Sequence, residues 1–432
     1  MSDLALFGGN PVIDYPFTKY NSIGEEEMIA VNQVMKTGVL SKFVASWNED
    51  FYGGPKVQEF ERTCERYFNV KHAITVNSWT SGLTAAVGAI GTQPGDEIIV
   101  SPWTMSASAA AILHWNAIPV FADIDRETFC IDPFSVERNI TPYTTAIMAV
   151  DIFGQSANMK ALNAIAQKHN LKIISDSAQA PGAISFEDFA GSSADIGGFS
   201  LNYHKHINTG EGGVLFTNND FFAERLRLIR NHAEAVVEDK NFKDLTNMLG
   251  HNFRMGEIEA AIGIEQLKKL EGAILSRVAI AERLNYGLKN LGGLTTPKVS
   301  TGNTHIYYKY GMTVDASTTG VSKFRIADAL RAEGVNGLST RYMNIHLFPL
   351  FQNKLAYGSN GFPWTSDICK RDVDYKKGIC PVAEELQDSS YLGFDICEFQ
   401  MTESDISLMI LAFQKVWRNL QFLKDETGSK DS

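Results

Sequence analysis

Ser200-Leu-Asn-Tyr-His-Lys205-His-Ile-Asn-Thr-Gly-Glu-Gly-Gly213 is the stretch that decides the fold, because it places one lysine between two histidines and just before a glycine-rich turn. Apolar runs lie on both sides of it, Asp195–Leu201 and Gly213–Thr217. Short runs of this kind predict buried strands, so Lys205 lies on the connection between two strands. A loop mounted on a buried sheet commonly presents catalytic side chains, and a lysine amine there can form an imine with an aldehyde.

Further apolar runs precede this stretch, and each is followed by enough residues for a helix. They are Ala73–Val76, Glu97–Val100, Pro119–Ala122, Thr145–Val150 and Leu171–Ile174. Such alternation is typical of a mostly parallel sheet flanked by helices, so we predict an α/β fold. A chain of 432 residues favours two domains, which we place at residues 1–270 and 271–432, the second being smaller and of α+β type.

Composition excludes several classes of protein. With 44% apolar and 21% charged residues, the chain has the profile of a soluble globular protein. No apolar run approaches the roughly 20 residues that a membrane span requires, and the amino terminus lacks the pattern of a signal peptide, so we expect a cytoplasmic protein. The formal charge of −11 argues against a nucleic-acid surface. Five scattered cysteines indicate neither a disulfide framework nor a zinc site, and we expect no metal.

Two segments stand apart from the alternating pattern. Residues 357–378 are rich in glycine, serine, aspartate and lysine, and they read as a long surface excursion. Its basic side chains either contact a diphosphate or are simply solvated, and the solvated interpretation is favoured. These basic residues are Lys370, Arg371, Lys376 and Lys377. Residues 425–432 are predicted to form a disordered tail.

Two strand ends carry candidate binding groups, since ligands of α/β sheets bind at the carboxyl ends of strands. After the run 73–76, the turn Asn77-Ser-Trp-Thr80 enters a helix, whose first amides and the Thr80 hydroxyl suit a phosphate. Ordinary capping of the helix by Ser78 is the alternative. After the run 171–174, Asp176 is expected to be partly buried, which is costly unless a cation or several donors meet it. A protonated pyridine nitrogen is such a cation; capping of the following turn is the alternative.

Together these groups predict more than each does alone. A pyridoxal phosphate enzyme needs an amine, a carboxylate for the ring nitrogen, an anion cradle and a packing surface for the ring. The sequence supplies Lys205, Asp176, the turn 78–80 with Ser200, and either Trp103 or Met105. We therefore predict pyridoxal 5′-phosphate as the cofactor.

At this point the chain closely resembles the DegT/DnrJ/EryC1/StrS family of sugar aminotransferases, which adopt the fold-type I architecture of aspartate aminotransferase. The resemblance covers nearly the whole chain and rests on several ordered motifs around Lys205. These are Gly53–Glu61, Pro94–Glu97, Asp176–Ala180, Gly210–Gly213, Asn252–Met255 and Pro381–Glu384.

The resemblance implies a role for each matched residue. Lys205 is implied as the Schiff-base lysine and Asp176 as the partner of the pyridine nitrogen. Gln179 is implied near the ring hydroxyl of the cofactor. The phosphate is implied to contact Ser200 and the amides of Trp79 and Thr80.

Other implied roles concern the substrate and the neighbouring subunit. Asn252 corresponds to a residue that reaches the phosphate of the neighbouring subunit's cofactor, with Arg254 close by. This requires a homodimer with shared active sites. His346 resembles a histidine near the substrate entrance, and an uncharged packing role is the alternative.

Two positions depart from the family pattern. Met105 aligns with the usual ring-stacking aromatic residue, whereas Trp103 stands two residues earlier. Trp103 could substitute if this segment were a strand, because residues two apart share a face, and the Met105 sulfur could also pack against a ring. Trp79 stands where the family usually has glycine, so the indole is expected to narrow the phosphate turn or to project toward the substrate.

The resemblance implies a two-stage transfer of an amino group from an amino acid, with glutamate as the expected donor, to a keto sugar. The expected acceptor is a nucleotide-linked 3- or 4-keto sugar for a surface polysaccharide, although relatives also act on inososes. A dehydratase of the same fold is one alternative, but that branch has histidine where Lys205 falls when counted back from Glu211. A non-catalytic module that binds cofactor and sugar is another alternative, and the reactive amine disfavours it.

Overall fold

The computed structural model describes residues 2–424, so the tail predicted at residues 425–432 lies outside the described residues. The first nine strands belong to the amino-terminal part of the chain. They are β1 (His72–Val76), β2 (Glu97–Val100), β3 (Ile118–Phe121), β4 (Thr144–Val150), β5 (Lys172–Asp176), β6 (Ile184–Ser185), β7 (Asp188–Phe189), β8 (Ile196–Ser200) and β9 (Gly213–Thr217). The others are β10 (Leu294–Thr295), β11 (Tyr310–Val314), β12 (Leu338–Ser339) and β13 (Tyr391–Phe394).

Within residues 2–424, seven strands form one sheet in the order β1-β9-β8-β5-β4-β2-β3. The pairs among β8, β5, β4, β2 and β3 are parallel, whereas β9 runs antiparallel to both β1 and β8. Burial on both faces explains why these strands read as nearly continuous apolar runs. The predicted α/β fold with a mostly parallel central sheet is confirmed, and the carboxyl ends of β1, β4, β5 and β8 meet at one edge.

Helices pack against this sheet, and loops connect the elements. The first eight are α1 (Glu25–Thr37), α2 (Pro55–Phe68), α3 (Trp79–Ala89), α4 (Ala107–His114), α5 (Pro133–Asn139), α6 (Met159–His169), α7 (Asp220–Arg230) and α8 (Glu257–Leu288). They are followed by α9 (Ala316–Thr319), α10 (Lys323–Ala332), α11 (Pro349–Gln352), α12 (Pro381–Glu385), α13 (Glu403–Arg418) and α14 (Leu420–Leu423). None of the helices in the described part of the chain combines the length and apolar character that a bilayer span needs.

A second, smaller core surrounds the antiparallel sheet β10-β11-β13-β12, with α8, α10 and α13 packed against it. Leu4, Ile13 and Phe17 from the amino-terminal segment are buried in this core. The predicted boundary at residue 270 falls inside α8, a continuous helix of 32 residues. The division into domains at 1–270 and 271–432 therefore stays a prediction.

The excursion at residues 357–378 is packed against the large sheet. The Tyr375 hydroxyl donates to the carbonyl of Pro119 on the edge strand β3, at 2.7 Å, and Trp364 and Tyr375 are buried. Arg371 pairs with Glu97 of β2, with Nε 2.6 Å from Oε1. The expectation of a solvated loop is therefore wrong for the centre of this segment, which covers a sheet edge whose backbone groups need partners.

Candidate active site

A cavity of about 210 Å³ lies at the carboxyl edge of the large sheet. It opens between the ends of β4, β5 and β8 and the first turn of α3, where ligands of α/β sheets are expected. It brings together most of the predicted site residues. The predicted residues that line it are Trp79, Thr80, Met105, Asp176, Gln179, Ser200 and Lys205.

Lys205 lies on the connection between β8 and β9, as predicted. Its backbone amide donates to the carbonyl of Asn202 at 3.0 Å, and only 7% of the residue is exposed. The Nζ atom lies over the ring of Tyr308, 4.2 Å from the centroid. Burial lowers the pKa of the Lys205 amine to about 8, against a partial opposing effect of Asp176 and Cys397. About a tenth of this amine is therefore neutral and nucleophilic at pH 7, far more than for a lysine with the ordinary pKa.

Asp176 ends β5 and is buried with a donor on each carboxylate oxygen. Its Oδ1 accepts from the Trp79 indole Nε1 at 2.6 Å and from the Ala178 amide at 3.2 Å. Its Oδ2 accepts from the Ser108 hydroxyl at 2.7 Å. These donors compensate the burial of the carboxyl group, which otherwise would be costly.

The Trp79 side chain makes a contact that neither expectation for it included. The residue lines the cavity, is 6% exposed, and its indole donates to Asp176. Sequence reasoning missed this contact, and it missed Ser108 as well. The donors come from helices that are distant in sequence from Asp176, and no local pattern connects them.

The turn before α3 has the geometry of an anion site. The Ser78 hydroxyl accepts from the Ser81 amide at 3.1 Å, so the capping interpretation is also correct. The amides that open a helix have no acceptor within it, and here they belong to Trp79 and Thr80. Ser200 contributes to the same cavity from the end of β8. The arrangement suits a phosphate group.

Gln179 is fixed by two hydrogen bonds. Its Oε1 accepts from the Phe153 amide at 2.8 Å, and its Nε2 donates to the Tyr342 hydroxyl at 2.9 Å. Burial is the main reason that the pKa of Tyr342 is raised to about 12, so this phenol stays protonated. Tyr342 and Tyr308 are further residues that the sequence did not single out, since no local pattern connects them with Gln179 and Lys205.

Met105 and Trp103 have different environments. Met105 is 54% exposed and lines the cavity. Trp103 is fully buried outside the cavity, with ring centroids 5.5 Å from Tyr342 and 5.3 Å from Tyr391. The prediction of Trp103 as a cofactor-binding residue is therefore not supported. The segment between β2 and α4 is not a continuous strand, so the rule that residues two apart share a face does not apply there.

His346 also lies outside the cavity. It is fully buried, with Nε2 2.9 Å from Oε1 of Glu384 and its ring 5.8 Å from that of Phe121. Burial lowers the pKa of this imidazole. These contacts agree with the packing role that was the alternative for His346. They do not agree with a place at the substrate entrance.

Asn252 and Arg254 do not line the cavity of their own chain. Asn252 is exposed and forms an isolated bridge with Asn231. Arg254 donates from Nε to the Asn231 side-chain oxygen at 2.8 Å. Their predicted roles at a neighbouring subunit and at the substrate stay predictions.

The cavity residues fit pyridoxal phosphate. A buried amine, a buried carboxylate and the amino end of an 11-residue helix all face one space. An aldehyde, a pyridine nitrogen and a phosphate are the groups that these three features would hold.

Comparisons with known proteins agree with this geometry. A sequence profile of the DegT/DnrJ/EryC1/StrS aminotransferase family matches residues 21–378. The spore coat polysaccharide biosynthesis protein SpsC of Bacillus subtilis is 35% identical over 357 residues, which cover 81% of this chain and 89% of SpsC. A putative L-glutamine:3-amino-2,3-dideoxy-scyllo-inosose aminotransferase of Streptoalloteichus tenebrarius is 34% identical over 431 residues, 98% of this chain and 100% of that protein.

The fold agrees as well. An aminotransferase of known structure from Psychrobacter cryohalolentis superposes with a TM-score of 0.78 at 27% identity, covering 94% of this chain and 100% of that one. The chain therefore belongs to the DegT/DnrJ/EryC1/StrS family of pyridoxal-phosphate-dependent sugar aminotransferases.

Proposed function

We propose that Lys205 is the residue that binds the cofactor covalently and that moves the proton during amino transfer. The observation that carries this proposal is the buried amine with a pKa of about 8, facing the same cavity as the Asp176 carboxylate. Such an amine can attack an aldehyde and can also accept and return a proton near neutral pH.

The other cavity residues would bind and orient. Pyridoxal phosphate, when bound, supplies an electron sink for the bond that breaks at the α carbon of the amino acid. Asp176 would hold the proton on the ring nitrogen, and the first turn of α3 with Ser200 would hold the phosphate. Gln179, fixed by the Phe153 amide, would lie along the ring. Met105 would cover the ring from the exposed side of the cavity.

The amino donor that we propose is L-glutamate. L-Glutamine is the second candidate, because the relative from Streptoalloteichus tenebrarius carries glutamine in its name. Both share the α-amino acid group on which Lys205 would act, so the proton transfer is the same for either donor. They differ only in the side-chain terminus.

The acceptor that we propose is a nucleotide-linked 3- or 4-keto sugar used for a surface polysaccharide. The likeness to a polysaccharide biosynthesis protein supports this choice. A cyclitol ketone is the second candidate, because the likeness to an inosose aminotransferase extends over 98% of this chain. In both cases a ketone carbon receives the amino group by the reverse of the donor reaction.

We further propose a homodimer in which Asn252 reaches the cofactor phosphate of the partner. Asn252 is exposed, and it follows a segment in which the apolar side chains of Leu245 and Leu249 are exposed. Met28 and Met35 of α1 are exposed as well. A partner related by a two-fold axis would cover such apolar groups. The same arrangement would place Asn252 of each subunit at the active site of the other.

The expected compartment is the cytoplasm. All five cysteines lie among the described residues, and each is a free thiol. Free thiols suit a reducing compartment.

Two spectroscopic and labelling experiments test the proposed reaction. First, glutamate or glutamine is added to the purified holoenzyme, and the absorbance of the lysine-bound cofactor should give way to that of its amine form. A protein that only binds cofactor would show no change with any amino acid. Borohydride followed by peptide mass spectrometry should then place the reduced cofactor on Lys205.

Second, ¹⁵N-labelled donors are combined with nucleotide-linked 3- and 4-keto sugars and with scyllo-inosose. Transamination predicts a product that carries ¹⁵N, identified by mass spectrometry. A dehydratase would instead give an unlabelled product that has lost water. The ketone that yields labelled amine identifies the acceptor class.

A further inference from the structure

The indole of Trp79 occupies a narrow slot between α3 and the large sheet. Three glycines line this slot, and a Cβ atom at any of them would crowd the ring. The closest approaches to indole carbons would be 2.8 Å from Gly198, 3.0 Å from Gly82 and 3.2 Å from Gly213. The sheet therefore has backbone rather than side chains where the indole passes, and the indole reaches Asp176 at the end of β5.

Among the described residues, three donors contact the Asp176 carboxylate. A carboxylate offers about four acceptor positions, two on each oxygen. Oδ1 accepts from Trp79 and from the Ala178 amide, whereas Oδ2 accepts from Ser108. The remaining acceptor position is thus on Oδ2, which is where a ring N–H would bind.

Trp79 also belongs to the other end of the cofactor site. It is the first residue of α3, so its backbone amide opens the helix that faces the phosphate position. One residue therefore connects the anion cradle to the carboxylate. This connection is made through the side chain, across the interior, and both Trp79 and Asp176 are buried.

We propose that Trp79 is a positioning residue: its indole N–H holds the Asp176 carboxylate in the orientation that leaves Oδ2 for the cofactor's ring nitrogen. This inference rests on the proposed roles of Lys205 and Asp176. Trp79 acts on the cofactor ring through Asp176 and takes no part in proton transfer itself.

Two effects of losing the indole N–H oppose each other. Removing a competing donor makes Asp176 a stronger acceptor, whereas releasing Oδ1 lets the carboxylate rotate away from the ring nitrogen. We expect the loss of orientation to win, because charge-assisted hydrogen bonds weaken steeply as their angle departs from linearity.

The test compares two cofactors on two proteins. Pyridoxal phosphate and 1-deazapyridoxal phosphate, which lacks the ring nitrogen, are titrated into the cofactor-free wild type and into Trp79→Phe, and Kd is measured by equilibrium dialysis. We expect Trp79→Phe to weaken pyridoxal phosphate about 10-fold or more, as for a hydrogen bond to a charged group. The Kd of the deaza analogue should stay unchanged.

Two further proteins keep the test decisive. Trp364→Phe removes another buried indole that donates a hydrogen bond, here to the Tyr375 hydroxyl at 2.9 Å, and it should change neither Kd. If Trp79→Phe does not fold, 3-benzothienylalanine at position 79 keeps the shape of the indole and lacks its N–H. It should show the same selective loss.

Equal weakening of both cofactors would assign Trp79 a merely structural role and overturn the proposal. Unchanged binding of pyridoxal phosphate by the Trp79 variant would overturn it too. Failure of the wild type to bind pyridoxal phosphate at all would instead contradict the proposed function, so the two failures are distinguishable.

Discussion

Two buried titratable side chains, Lys205 and His346, differ in what surrounds them. Lys205 places its amine over the ring of Tyr308 at the wall of an open cavity. His346 places Nε2 against Glu384, whose carboxyl oxygens also accept from the amides of Gly378 and Cys380. Burial lowers the pKa of both side chains.

The difference teaches how to separate a reactive group from a structural one when both have shifted pKa values. His346 has a hydrogen-bonding partner that compensates its burial, so it should contribute stability. The Lys205 amine contacts the Tyr308 ring and faces the open cavity. Its burial should therefore cost stability and leave the amine available for chemistry. Substitution of Lys205 should therefore lower activity and raise stability, whereas substitution of His346 should lower stability and leave activity nearly unchanged.

The largest effect is expected for Lys205→Met. Turnover should fall by about 1,000-fold or more, because the residue that we propose as covalent anchor and proton carrier is lost. The cofactor-free variant should nevertheless melt higher than the cofactor-free wild type, since about 1 to 3 kcal/mol of burial cost is removed. Calorimetry of the two cofactor-free proteins measures this difference.

The difference in Tm between Lys205→Met and the wild type should depend on pH in a defined direction. The Lys205 pKa is lowered from 10.5 to about 8 in the folded protein, so the full cost of burying the charge is present below pH 8. The cost disappears as pH rises from 8 toward the unfolded value. The gap in Tm between variant and wild type should accordingly be largest below pH 8 and shrink above it. A gap that widens above pH 8 would contradict this account.

Asp176→Asn should have the second largest effect. A neutral amide cannot hold the ring nitrogen protonated, and we expect turnover to fall about 100-fold or more, as for the loss of several kcal/mol at a buried charge pair. Borohydride trapping at Lys205 should persist, because the amine is still present and the loss of the Asp176 charge lowers its pKa further. Loss of trapping together with activity would instead indicate misfolding of the site.

Capture of the cofactor by the cofactor-free protein should depend on pH through Lys205. Only the neutral amine attacks the aldehyde, so the observed rate should fall about 10-fold for each pH unit below the pKa of about 8 and level off above it. Stopped-flow absorbance at several pH values measures this rate. A profile centred near 10.5 would contradict the burial of Lys205.

The sequence predicted the parts of the site that depend on local pattern. The strands appear as apolar runs, and their ends identified Lys205 and Asp176 because ligands bind at that edge of a sheet. The helix opening at Trp79 followed from its polar turn. These features depend on residues that are close in sequence.

Contacts between distant residues could not be predicted in this way. Trp79 and Asp176 are 97 residues apart, and their hydrogen bond depends on glycines in two strands of the folded sheet. The family resemblance suggests a place near the substrate entrance for His346, but a resemblance in sequence does not show how deeply a side chain is buried. The centre of the excursion is buried for a similar reason: the edge of β3 that it covers exists only in the folded sheet.

His346 tests the structural side of the comparison. His346→Leu should lower the free energy of unfolding by about 2 to 3 kcal/mol, because the Glu384 carboxyl group loses a donor in a buried place. His346→Gln should recover part of this loss, since its amide can donate to the same oxygen. Urea unfolding of both variants measures the change, and kcat/KM of the folded protein should stay close to wild type. A large loss of kcat/KM in a folded His346→Gln variant would restore the substrate role.

The smallest effect is expected where charges are neither buried nor in the cavity. Lys370 and Lys376 are exposed in the 357–378 segment, and solvent compensates their charge. The double variant Lys370→Ala, Lys376→Ala should therefore change neither Tm nor the KM for the keto sugar. Arg371→Ala is the matched control from the same segment: it leaves the buried Glu97 without its ion-pair partner and should lower Tm. A raised KM in the lysine double variant, with Tm unchanged, would mean that this segment contacts the substrate's phosphates. In that case, the exposure of a charged side chain would not show that it has no role in substrate binding.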